Sequence, residues 1–208
     1  MLDSPYVRRV AISLQLLGVR FEHLPLSVFS TFDEFRAINP VVKAPTLICD
    51  DGTVLMESSL ILDYVQAVAQ RSLLPADLPN RTAELRVTGL ALAACEKSVQ
   101  IIYERNLRPA EKQHEPWVRR VTTQMLGAFD GLEADITRRP LTASSGGMTQ
   151  AGVITAVAWF FTQQMLPELV PAARFPALAQ FSAAAEATRP FKAAPHGAGT
   201  CVPTQPPT

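Results

Sequence analysis

Ser4 stands directly ahead of Pro5 in the opening run MLDSPYVRRV. A hydroxyl in that place is a helix N-cap, worth about 1 kcal/mol with no ligand involved. The same place also suits an anion, because the first helical N–H groups lack partners within the helix and the helix dipole favours negative charge. A thiolate held there would accept a hydrogen bond from the Ser4 hydroxyl, and the thiol's pKa would fall. Both readings are open at Ser4.

Further along, Pro45 opens the stretch APTLICDDGTVLMESS. A proline at the first position of a strand costs no pairing. The alternative is a cis Ala44–Pro45 bond, found at about 5–6% of such bonds, which would turn the backbone groups of Ala44 toward a ligand. Glu57 and Ser58 follow a strand and begin a helix, where capping accounts for the serine. A helix N-terminus carrying a hydroxyl also binds a carboxylate, and Glu57 beside it can receive an ammonium. A zwitterionic amino-acid head group needs that pair, and Lys43 could meet a second carboxylate.

These residues need a scaffold, and the hydrophobic pattern supplies one. Val7, Val10, Ala11, Leu14 and Leu17 fall at helical spacing over Pro5 to Leu17, with Gly18 as the stop. Arg20 to Leu24 reads as a short strand, and Phe32 to Ile38 as a brief helix closed by Asn39-Pro40. Thr46–Cys49 and Thr53–Met56 flank Asp50-Asp51-Gly52, a hairpin signal, and Ser58 or Ser59 caps the next helix. Pro75 to Pro79 has linker composition. Beyond it, helices are expected at Ala83 to Leu107, Glu115 to Arg139, about Thr149 to Leu166 and Pro176 to about Ala187, with a loop at Pro140 to Met148. The chain therefore divides into an α/β domain over 1–74, a linker at 75–80, an all-helical domain over 81–196 and a flexible tail at 197–208.

Composition bounds the function. Of 208 residues, 48% are apolar and 18% charged, which supports a sizeable packed core and argues against wholesale disorder. Lys plus Arg equals Asp plus Glu at 19 each, so the broad positive field wanted by nucleic acid or an anionic membrane is missing. Cys49, Cys95 and Cys201 are scattered, without metal-ligand spacing, and His23, His114 and His196 are isolated. No metal site and no disulfide framework are expected. No signal peptide or apolar span stands out, so a cytoplasmic protein is expected.

Taken in order, S-P-Y-x-x-R-V, N-P-V-V-K-A-P, the DDG hairpin and E-S-S make the chain resemble the cytosolic glutathione S-transferases of serine type, bacterial members among them, over nearly its whole length. The resemblance implies a thioredoxin-like α/β domain followed by a helical bundle, a homodimer, and detoxifying conjugation of glutathione to a small electrophile. Glutathione would be a co-substrate, with no bound cofactor. It also implies that Ser4 donates to the thiolate and that Pro45 is cis. Ala44 would then pair through its backbone with the cysteinyl part, Glu57 and Ser58 would hold the γ-glutamyl end, and Lys43 would reach the glycine carboxylate. Tyr103, Arg105 and Arg108 are candidates for the electrophile pocket. Glutathione-dependent disulfide or peroxide reduction and a non-catalytic binding module remain alternatives.

Two departures from the family pattern stand out. Members carry a strand of about 5–6 residues ahead of the serine motif, whereas only Met1-Leu2-Asp3 precede it here. Either the start lies upstream, which is the favoured expectation, or the sheet is damaged. In Thr149-Gln-Ala-Gly152 the family's Ser/Thr-x-x-Asp cap lacks its acid, so Gly152→Asp is expected to stabilise the helical domain. Trp159 reads as core. Arg8-Arg9 could steer an anionic substrate, with a solvated helix face as the favoured reading.

Overall fold

A computed structural model describes residues 1–202 of the chain. They form two compact units, Met1–Leu73 joined by the segment from Ala187 onward, and Leu74–Glu186. An α/β first part followed by helices is the architecture the sequence led us to expect.

The first unit begins with α1 (Pro5–Leu17), whose C-cap Gly18 takes the left-handed φ of 71° that glycine tolerates. A short helix, α2 (Phe32–Ile38), comes next. The hairpin pairs β1 (Thr46–Ile48) with β2 (Val54–Met56) antiparallel, Leu47 opposite Leu55. Gly52 closes the turn by donating to Cys49 O at 2.9 Å. Helix α3 (Ser58–Ala69) follows directly and packs against α1, with Ile61, Leu62 and Val65 buried.

Arg20–Leu24, expected as a strand, is in no sheet. The physical reason is the lack of a partner edge, since the sheet holds β1 and β2 alone among the described residues. Met1 to Asp3 form a turn and not a strand, Leu2 is buried, and the Met1 ammonium donates to Leu26 O at 3.1 Å. Between β1 and the stretch from Val19 to Leu24 lies a cavity of about 400 Å³, walled also by Leu14 of α1, Phe35 of α2 and Val68 of α3. Cys49 N donates to Thr53 O at 2.9 Å. In an antiparallel ladder that alternation turns the backbone groups of Thr46 and Ile48 away from β2, and both residues line the cavity.

The C-terminal segment departs from the sequence-based boundaries. Residues 187–202, including α8 (Arg189–Lys192), belong with the first unit. Cys201, inside the expected flexible tail, is 2% exposed, and its N–H donates to His23 Nδ1 at 3.0 Å. Residues 203–208 of that tail lie outside the described residues.

The second unit is helical: α4 (Leu78–Leu107), α5 (Glu115–Arg138), α6 (Gln150–Met165) and α7 (Pro176–Glu186). Helix α6 is buried nearly all round, as its continuous apolar run requires. Trp159 is a core residue, with its ring edge-on to Phe129 at 5.6 Å and to Phe175 at 5.8 Å. The start of α6 corrects the expectation for Gly152. Thr149 caps by accepting from Gly152 N at 3.3 Å, and a carboxylate is present after all, because Glu84 of α4 accepts from Ala151 N at 2.6 Å. A Cβ on Gly152 would lie 2.7 Å from Met148 Sδ, which is buried.

Candidate functional site

Three segments of the first unit carry Ser4, Lys43 to Pro45, and Glu57 with Ser58. Ser4 has extended backbone (φ −72°, ψ 123°), and its Oγ accepts from Val7 N at 3.4 Å. That cap is long. It uses the oxygen as acceptor, and no acceptor for the hydroxyl hydrogen occurs among the described residues. The capping and ligand-facing readings are therefore compatible in one side chain.

Pro45 is buried and the Ala44–Pro45 bond is cis. Lys43 is exposed, and its carbonyl accepts from Thr46 Oγ1 at 2.7 Å. Just before it, Val42 holds a φ of 52°, an outlier for a β-branched residue.

Glu57, also at positive φ (74°), is the N-cap of α3, a role expected of Ser58 or Ser59. One carboxylate oxygen accepts from Ser59 N and the other from Ser58 Oγ, each at 3.1 Å. Backbone strain of this kind costs about 1–3 kcal/mol and gathers at ligand-binding positions. Of the three non-glycine residues at positive φ among the described residues, Val42 and Glu57 flank the segments carrying Lys43, Ala44, Pro45 and Ser58, and the third, Gln70, is the C-cap of α3.

Arg8 and Arg9 correct the expectation of a solvated face, being 2% and 3% exposed. Arg8 donates through Nε to Ala194 O at 2.8 Å and lies over the Phe191 ring, so it fastens the C-terminal segment to α1. Arg9 reaches the other way. Its Nη1 donates to Ser58 Oγ at 3.1 Å and to Ser59 Oγ at 3.2 Å, tying the second turn of α1 to the N-terminus of α3. Sequence reading considered Arg9 for steering an anionic substrate but did not foresee its burial beside Ser58 and Ser59. The usable signal was an arginine in a helix whose sequence contains no acid to pair with it.

The three candidates for an electrophile pocket lie near the C-terminal end of α4, in the second unit. Tyr103 is exposed, Arg105 pairs with Glu168 at 2.8 Å, and Arg108 pairs with Glu104 at 2.7 Å. Among the described residues no group of three His, Cys, Asp or Glu could hold a metal ion, and no helix is long and apolar enough to cross a membrane.

Comparison with known proteins agrees with this arrangement. Residues 1–72 match the family described as glutathione S-transferase, N-terminal domain. The uncharacterized GST-like protein YibF of Escherichia coli is 22% identical over 165 residues, which is 79% of this chain and 81% of that protein. A maleylacetoacetate isomerase of Pseudomonas aeruginosa is 29% identical over 138 residues, covering 61% of this chain and 64% of that one. Among solved structures, a glutathione transferase family member of Pseudomonas fluorescens Pf-5 with bound glutathione superposes with a TM-score of 0.79 at 29% identity, covering 93% of this chain and 95% of that chain. With the serine-capped α1, the cis Ala44–Pro45 bond and the Glu57-Ser58 start of α3 present, residues 1–72 are a glutathione S-transferase N-terminal domain, and over nearly its whole length the chain is similar in fold to glutathione transferases.

Proposed function

We propose that the protein conjugates reduced glutathione to a small, mostly apolar electrophile. The observation that carries this is the Ser4 hydroxyl at the N-terminus of α1, its oxygen used by Val7 N and its hydrogen left for a ligand. On this reading the hydroxyl donates to the glutathione sulfur. Together with the N–H groups of the first turn it stabilises the thiolate, and the proton is released to solvent. The thiolate forms a C–S bond with the electrophilic carbon while a leaving group departs with its electron pair.

The remaining roles are those that the family resemblance implies. Glu57 and Ser58 hold the γ-glutamyl end at the N-terminus of α3, with Glu57 receiving the ammonium. The backbone of Ala44, before Pro45, pairs with the cysteinyl part, and Lys43, which is exposed, meets the glycine carboxylate. Tyr103, Arg105 and Arg108 are the candidates for contacts with the electrophile. The family further supports a homodimer, which light scattering of the purified chain tests.

The maleylacetoacetate isomerase relative supports a second reaction on the same thiolate, glutathione-dependent isomerisation of an activated double bond. One experiment separates the readings. Reduced glutathione at about 100 times its dissociation constant should stabilise the fold by roughly 2.7 kcal/mol. Turnover is then followed with an aryl halide, a disulfide and a cis-enone diacid. We expect aryl halide turnover that falls about 100-fold or more in Ser4→Ala, the usual cost of a lost donor to a developing or bound anion. A melting temperature unmoved by glutathione would support a fold without the ligand. Activity confined to the disulfide or the enone would replace conjugation with reduction or isomerisation.

A further inference from the structure

We propose that Arg9 is the positioning residue that makes the start of α3 selective for a carboxylate, and so for the α-carboxylate of the γ-glutamyl end of glutathione. The assignment rests on glutathione occupying this site. Its basis is the polarity of the hydroxyls. Nη1 of Arg9 donates to Ser58 Oγ at 3.1 Å and to Ser59 Oγ at 3.2 Å. A guanidinium has no acceptor, so both oxygens are fixed as acceptors toward Arg9, and each hydroxyl hydrogen must point elsewhere. Ser58 sends its hydrogen to Glu57 Oε1 at 3.1 Å. Glu57 Oε2 in turn takes the Ser59 N–H at 3.1 Å, so the strained Glu57 backbone, the two serines and Arg9 form one connected set.

Two consequences follow. Among the described residues the hydroxyl of Ser59, only partly buried, has no acceptor for its hydrogen, which suits a carboxylate and not an ammonium. The guanidinium also places a full positive charge, 3% exposed, behind a helix terminus that is already positive. Charge held away from water acts more strongly on a ligand than a surface lysine does. Arg9 therefore acts on the ligand through Ser58, Ser59 and the field. It acts on one end of the ligand only.

The test uses calorimetry with the full chain and two probes. One is glutathione, the other the analogue with hydrogen in place of the γ-glutamyl α-carboxylate (γ-aminobutyryl-cysteinylglycine). Wild type should bind glutathione more tightly than the analogue. Arg9→Met should weaken glutathione by about 10- to 100-fold, the range for a charged hydrogen bond, and leave analogue affinity within about 2-fold, well under one tenfold step. Arg9→Lys, which keeps the charge, should fall between, and KM for glutathione should rise by more than kcat falls. If Arg9→Met does not fold, Ser58→Ala/Ser59→Ala reads the same discrimination through the side chains that Arg9 orients. Equal weakening of both probes in Arg9→Met would reduce Arg9 to a packing residue and overturn the proposal. So would wild type failing to distinguish the probes while binding both. Wild type binding neither probe would instead overturn the glutathione reading itself.

Discussion

His23 shows how a single side chain couples this fold to pH. Its Nδ1 accepts the Cys201 N–H, and it is half-buried. Burial, with the Met1 ammonium as a smaller cause, pushes its pKa below the ordinary value of 6.5. Above pH 6.5 the imidazole is neutral in both folded and unfolded chains, and its contribution to stability is fully present. As pH falls below 6.5 the unfolded chain takes up the proton first, so stability declines until the folded imidazole also titrates. Urea midpoints should therefore drop more between pH 7 and 5 in the native chain than in His23→Gln, which cannot titrate. Parallel pH profiles would remove His23 from the account. The same scale explains what was legible in the site. Ser4, Pro45 and Glu57-Ser58 announce themselves through cap and turn chemistry with near neighbours. Arg9 does not, since its partners stand about 50 positions further along the chain.

At the scale of elements, the second unit starts several helices with carboxylates borrowed from elsewhere in the chain. Glu84 of α4 takes Ala151 N at the start of α6, and Glu133 of α5 takes Ala177 N and Leu178 N at the start of α7. Glu104 of α4 takes His114 N, the N-cap of α5. Each satisfies N–H groups that a helix start leaves open and sets an anion against the dipole. For α6 this reverses what the local sequence suggests. An acid at 152 would meet Met148 Sδ at close range and bring a second negative charge to a terminus that Glu84 already serves. Gly152→Asp should destabilise the native chain by about 1–3 kcal/mol through crowding, and Glu84→Gln by about 1–3 kcal/mol through the weakened cap. Together they should cost less than the sum, because Glu84→Gln removes the repulsion. Chemical denaturation of the four chains reads this coupling, and a higher midpoint for Gly152→Asp alone would show that the borrowed cap is insufficient. Helix positions themselves were legible from periodicity, and the hairpin from Asp51-Gly52. The strand expected at Arg20–Leu24 was not, because a strand exists only beside a partner edge, and no local signal reports whether that edge is present.

At the scale of the whole molecule, the two units differ in how much apolar surface holds them. The second buries Ala91, Cys95, Phe129, Leu132 and Ile154 completely along facing helices. The first relies on two three-residue strands beside a cavity of about 400 Å³ and leaves Ile48, Val54 and Val68 substantially exposed. Void-lining atoms forfeit dispersion contacts, and exposed apolar groups keep little of their transfer free energy. Stability should thus be unequal, with the first unit opening in a step of lower free energy than global unfolding. Hydrogen exchange followed by mass spectrometry across a urea series tests this. Peptides from α1, β1, β2 and α3 should lose protection at lower urea than peptides from α4, α5 and α6. On the function proposed above, millimolar glutathione stabilises every state in which its site is folded, so it should raise protection in the first group and, in the second, wherever exchange requires global unfolding. A single opening free energy for all peptides would mean that the sparse sheet is no weak point. Unequal opening with no effect of glutathione would keep the energetic argument and remove the ligand from it.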